Sequence, residues 1–195
     1  MMMMASPSPC RNLYYSLQNN VVEGMEILNS LRVMTTAYLF NGDSVLLMER
    51  SPHRNYLPGV WSGISGHVKV NEFGNFMSAC FREIEEETGL KSNNVVSLNL
   101  KYVILRQRKS ELSQQFIYVG SATTRQIGTT DEGTLHWIPS QHIFDYQMTD
   151  SNRLMLKHYL SHEQTDQIWV GVMHGDEGQP AIHWALLSDW EKQGE

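Results

Sequence analysis

Cysteine is nearly missing from this chain: only Cys10 and Cys80 occur, too few for the disulfide framework of a small secreted scaffold. A reducing cytoplasm is therefore the expected compartment. No run approaches the roughly 18 apolar residues of a membrane-spanning helix, and the opening MMMMASPSPC lacks the charged start and apolar centre of a secretory signal. Basic charge is also short. Fifteen Lys and Arg face 21 Asp and Glu, a formal charge of −6. That balance argues against a nucleic-acid polymer as partner, since such proteins carry a basic patch for phosphates. No internal repeat divides the sequence. What is present, 41% apolar and 18% charged residues over 195 positions, fits one globular domain with a continuous core.

The densest chemistry lies in Gly66 to Leu90, GHVKVNEFGNFMSACFREIEEETGL. Asn75 is a good N-cap residue, and Thr88-Gly89-Leu90 has the form of a helix stop, so a helix is predicted between them. At about 100° per residue, Phe76, Met77, Cys80, Phe81 and Ile84 form an apolar stripe that holds one face against a core. Glu83, Glu86 and Glu87 fall on the edge of that stripe, and Glu85 points away. Like charges at this spacing repel on a solvated helix, and more strongly when half-buried. Arg82, four residues before Glu86, holds one acid in place, but a single Arg does not neutralise three. A hard divalent cation accounts for the rest, because Mg²⁺ takes oxygen ligands and combines carboxylates with water and phosphates. The plain alternative is a solvated acidic face.

These residues resemble the Nudix box, G-x5-E-x7-R-E-U-x-E-E-x-G-U with U aliphatic. Gly66 and Glu72 match its first part; Arg82, Glu83, Ile84, Glu86, Glu87, Gly89 and Leu90 match its second. Nine residues instead of seven separate Glu72 from Arg82, and the extra pair around Gly74-Asn75 puts the role of Glu72 in question. The preceding LPGVWSGISGHV looks like the family's lead into the box, with Ser65 where a second Gly is common. The resemblance implies an α/β fold, a mixed β-sheet between helices in an α/β/α sandwich, spanning residues 31–195. It further implies that the Gly66 carbonyl joins Glu83, Glu86 and Glu87 around Mg²⁺, with Mn²⁺ as a substitute, while Arg82 organises the acids. Glu132, with Asp131 beside it, is the candidate acid outside the box. The general base is left open among Glu86, Glu87 and Glu132. In the polar loop from Arg50 to Asn55, Arg50 and Arg54 lie near the expected phosphate site and are candidate phosphate contacts or loop charges, and Trp61 is a residue at the mouth of the site or an edge-packing residue. Trp137 is a stacking surface for a purine or a core residue.

The activity implied by the resemblance is metal-dependent cleavage of a diphosphate linkage in a small nucleotide. The flanks, PGVWSGISGH and DEGTLHWIP, look most like the MutT-type branch. On that likeness the substrate is a (deoxy)nucleoside triphosphate such as 8-oxo-dGTP, released as monophosphate and pyrophosphate. Absence of Pro between Gly59 and Ile138 speaks against the ADP-ribose branch. The alternatives are a non-catalytic nucleotide-binding domain and hydrolysis of dinucleoside polyphosphates or nucleotide sugars. Isoprenoid diphosphate isomerisation calls for a reactive Cys near substrate, whereas Cys80 belongs to the packed stripe.

The rest of the chain reads more simply. Residues 1–30 mix Pro, Ser and Asn without an apolar period and are expected to form a flexible tail, within which Met25 offers a second possible start. From Leu31, VMTTAYLF and SVLLMER form a hairpin about Asn41-Gly42-Asp43. Val95 to Gln107 and Gln114 to Ala122 are two strands joined by a polar turn from Arg108 to Ser113, and TLHWIP is another strand. SNRLMLKHYL is an amphipathic helix capped by Asp150 or Ser151. Its His158 and neighbouring His162 lack the Glu of a helical metal motif. QIWVGVMHG and AIHWALL make a hairpin about a five-residue turn, a candidate pair of edge strands or a homodimer interface.

Overall fold

Strand β1 (Ser30–Asn41) carries partners on both edges. Along one it runs parallel to β6 (Glu111–Ala122), from Ser30 opposite Glu111 to Phe40 opposite Ser121. Along the other it makes three pairs with β2 (Ser44–Arg50), closed by a turn in which Gly42 takes φ 60°, as an Asn-Gly pair favours. The strands then diverge. Into the fork come β3 (Trp61–Ser62), which pairs with β2, and β4 (Ile64–His67), which pairs with β1. Gly63 sits at the branch point, where a Cβ would press on the Ala37 carbonyl oxygen. Strand β7 (Gly133–Pro139) also pairs with β2; beyond β6 lie β5 (Val95–Arg108), β8 (Ile168–Asp176) and β9 (Gln179–Leu187). Among the described residues the result is one mixed, nine-stranded sheet. The computed structural model describes residue 28 and residues 30–162, 166–176 and 178–188. Residues 1–27, with Cys10 and nearly all of the expected tail, lie outside the described residues.

Alternation along the central strands sends side chains to two faces. Ala37, Leu39, Leu46, Phe116 and Tyr118 join Cys80 and Ile84 of helix α1 (Phe76–Thr88). Tyr38, Val45, Leu47, Ile117 and Val119 join Met155 and Leu156 of helix α2 (Asp150–Ser161). Each fully buried Leu or Ile contributes about 1.5–3 kcal/mol relative to exposure, so both helices are held by apolar burial on opposite faces. This is the expected α/β/α sandwich. No helix among the described residues is long and apolar enough to cross a membrane.

Three local readings change. The polar stretch after Gln107 is strand, not loop: Glu111, Leu112 and Ser113 pair with β5 on one side and with Ser30 to Arg32 on the other. Pairing on both edges outweighs the weak strand propensity of those residues. The cap of α2 is Thr149, whose hydroxyl accepts the Asn152 N–H at 3.4 Å, one residue before the expected pair. Pairing in the last hairpin continues to Asp176 opposite Gln179, well into the expected five-residue turn.

Candidate active site

Helix α1 begins where Asn75 Oδ1 accepts the Ser78 N–H at 3.2 Å and ends where Gly89, at φ 72°, donates its N–H to Glu85 O at 2.9 Å. Between these caps Ala79, Cys80 and Ile84 are buried, whereas Met77, expected in the stripe, is 42% exposed. Burial pushes the Cys80 thiol up to about 12, which removes the thiolate that a reactive cysteine needs. Glu83 is drawn into the packed face with 9% of its surface exposed; Glu85 is exposed.

One guanidinium organises the acids. Arg82 donates from Nε to Glu72 Oε1 at 2.7 Å and from Nη2 to Glu72 Oε2 at 2.9 Å, a bidentate fork. Its Nη1 donates to Glu83 Oε1 at 2.6 Å and to Glu86 Oε2 at 2.9 Å. Its Nη2 also reaches the His67 carbonyl of β4 at 3.0 Å. Glu72 is therefore part of the site in spite of the longer spacing. The extra residues are absorbed by a short 3-10 turn at Val70–Glu72, where Glu72 Oε2 accepts the Lys69 N–H at 2.8 Å, and by Gly74 at φ 93°. The Arg82 hydrogen bonds hold the Glu72 carboxyl down to about 2, and the same acids raise the Arg82 value.

A second chain of contacts reaches the outer loops. Thr130 donates its hydroxyl to Glu87 Oε2 at 2.7 Å, and the Thr130 hydroxyl oxygen in turn accepts the Glu132 N–H at 3.2 Å. Glu132 is ion-paired with Arg54, and its carbonyl accepts the Ser51 N–H at 2.9 Å. Gly128 N–H, donating to the Thr88 carbonyl at 2.7 Å, ties this loop to the end of α1. Burial pushes the Glu87 carboxyl upward, against the hydrogen bond from Thr130, with the Glu83 and Glu86 charges adding to the rise and Arg54 opposing it. The structure thus brings together Arg54, Gly66, Arg82, Glu83, Glu86, Glu87 and Glu132. The sequence alone missed Thr130; its place before Asp131 and Glu132 carried no signal of contact with Glu87.

Gly66 is required by geometry: a Cβ there would overlap the Glu83 carboxyl, which packs against the β4 backbone. Around it Glu72, Glu83, Glu86, Glu87 and Glu132 outnumber the cations Lys69, Arg82 and Arg54. An all-oxygen donor set with excess negative charge, beside a glycine backbone, fits a hard divalent cation in chemistry and charge. As the side chains stand, no three His, Cys, Asp or Glu groups among the described residues are grouped to share an ion. Arg82 Nη1 lies between Glu83 and Glu86 and serves as their counter-charge.

The two tryptophans part company. Trp61 is buried on the α2 face, with its ring 4.2 Å from Tyr146 and 5.0 Å from His136. Trp137 packs beside the core on the α1 face, donates Nε1–H to the Arg125 carbonyl at 3.1 Å, and has the Arg125 guanidinium 5.9 Å from its ring. They cannot sandwich one base.

Comparison with known proteins bears on the fold and the family. No curated protein sequence matches the chain. Among solved structures, a MutT protein from Bacillus halodurans is 21% identical with TM-score 0.59, the alignment covering 80% of this chain and 97% of that one. A MutT protein from Methanosarcina mazei Go1 is 16% identical with TM-score 0.60, covering 73% and 100%. The NUDIX domain of Shewanella oneidensis NrtR, complexed with ADP ribose, is 12% identical with TM-score 0.53, covering 75% and 96%. These likenesses show the fold. The profile of the NUDIX domain family matches residues 30–159, from the start of β1 to the last turn of α2, and with that match over most of its length the chain belongs to the Nudix family.

Proposed function

We propose that this Nudix pyrophosphohydrolase cleaves the diphosphate linkage of a (deoxy)nucleoside triphosphate of the 8-oxo-dGTP type, giving the monophosphate and pyrophosphate. The observation that carries the reading is the acid set of α1 held by Arg82, with Glu83 lodged beneath Gly66. Mg²⁺ is the proposed cofactor and Mn²⁺ its substitute, held by the Gly66 carbonyl, Glu83, Glu86 and Glu87. When bound, the ion supplies charge neutralisation at the phosphates and Lewis acidity. Arg82 fixes the carboxylates from behind and is a positioning residue. Thr130 orients the Glu87 carboxyl, and Arg54 places a cation at the loop edge of the same cluster, suited to a phosphate oxygen once Glu132 releases it. Glu86, the most open of the box acids with 52% of its side chain exposed, has Lys69 Nζ at 3.4 Å as a second counter-charge.

The test is a panel of nucleoside triphosphates, oxidised purine triphosphates, dinucleotides and nucleotide sugars with Mg²⁺, read as pyrophosphate and phosphate release. Preferred turnover of an oxidised purine triphosphate is expected. Preference for a dinucleotide or sugar nucleotide moves the substrate to that class, and no turnover on any member favours a binding domain without catalysis.

A further inference from the structure

A cleft of about 140 Å³ opens on the other side of β4 from the acids. Alternation along that strand makes the two sites neighbours: Gly66 faces Glu83, while Ser65 and His67 line the cleft. Its wall holds Arg32, Arg50 and Arg106, brought from three strands. The Nε atom of each is buried without a hydrogen-bond partner. Arg32 is paired with Glu111, but neither Arg50 nor Arg106 has an acidic partner among the described residues. Asn152, in the first turn of α2, is only 6% exposed, lines the same cleft, and its side chain has no hydrogen-bond partner among the described residues.

Buried donors left unmade are costly and rare, and three guanidinium groups around one small space repel each other unless an anion joins them. In a chain of net charge −6 this is a local reversal of sign. The positive end of α2 adds to it. The space is smaller than the roughly 300–1,000 Å³ of clefts that enclose a whole drug-sized ligand, so it suits one substituent. Tyr56, on the loop that also carries Arg54, closes one side, its ring 6.0 Å from the Arg32 guanidinium.

We propose that this arginine cleft seats a phosphate group of the substrate that lies outside the diphosphate bond being cut, with Asn152 donating to the same group. The inference rests on the nucleotide-hydrolase reading and narrows it to substrates with an additional phosphate. That group is either the terminal phosphate of a nucleoside triphosphate or a phosphate ester on the ribose.

Calorimetric titration of the full chain in EDTA reads the cleft without turnover. The probes are ADP, ATP, adenosine 3′,5′-bisphosphate and inorganic phosphate. Either ATP or the bisphosphate should bind roughly tenfold more tightly than ADP; the first outcome assigns the terminal phosphate, the second the ribose ester. R106M should remove that margin, and R50Q, from the opposite strand, should do the same if R106M fails to fold. Equal affinity for all the nucleotides, a margin that survives a folded variant, or inorganic phosphate binding as tightly as the nucleotides would overturn the proposal. Failure of turnover with Mg²⁺ in the activity panel would sink the hydrolase reading alone, because this titration needs no metal and no hydrolysis.

Discussion

Glu83 and Gly66 are a matched pair, and each explains the other. The carboxyl occupies the volume a side chain at residue 66 would need, so Gly66→Ala must push Glu83 out of its bonds with Arg82. Activity is expected to fall about 10²-fold or more, as when one aligned electrostatic group is removed from a site, with a stability loss of about 1–3 kcal/mol for the overpacked contact. Activity assays and denaturant titration read the two effects separately. Glu86→Gln should cost a similar factor in activity with stability changed by less than about 0.5 kcal/mol, because this side chain is largely exposed. Equal activity in that variant would remove Glu86 from the proposed metal set. The acids and Gly66 were legible in the sequence because their chemistry demands carboxylates at helical spacing and a backbone without Cβ. Arg50 was legible only as a loop charge near the expected phosphate site, and Arg32 and Arg106 not at all, since each is an ordinary residue on its own strand until β1, β2 and β5 bring them to one wall.

The segment from β4 to α1 shows why an inserted pair of residues need not break a motif. The Lys69–Glu72 turn re-aims the chain so that Glu72 still meets Arg82 with both oxygens. Its folded pKa of about 2 lies below the ordinary 4.5 because Arg82 favours the ionised form. A depressed value stabilises the fold fully above about 4.5, and that contribution fades as pH falls toward about 2. Glu72→Gln is therefore expected to be less stable than the parent at neutral pH, with the gap closing on the acid side; urea midpoints measured across that range check it. A gap independent of pH would mean that Glu72 acts by packing alone. The helix itself was readable to its ends, since Asn75 and Gly89 cap it by local chemistry. The spacing rule offered no way to see that a new turn restores a contact.

At the level of the whole molecule, the pairings of β1 with β6 and of β2 with β7 join residues far apart in sequence, and nothing in any of these strands alone announces them. The same holds for the end of the chain. Strands β8 and β9 lie beyond the residues matched by the family and extend the sheet from β5. They are fastened by aromatic contacts: Trp184 packs 5.2 Å from Tyr102 and 4.6 Å from His158, and Gly171, directly across from it, leaves room for the indole. His158 also accepts or donates with the Tyr102 hydroxyl at 2.9 Å and stacks on His162 at 3.8 Å, so this histidine pair belongs to a ring cluster. Trp184→Ala should destabilise the protein by about 1–3 kcal/mol, the range for losing a partly buried aromatic contact. Turnover at a temperature where the variant stays folded should be within about twofold of the parent, because the acids lie on the opposite face of the sheet, against α1. Thermal unfolding and initial rates decide the matter. A large loss of rate with unchanged melting would show that the added hairpin serves the site itself, and would make β8 and β9 a functional extension of the Nudix fold.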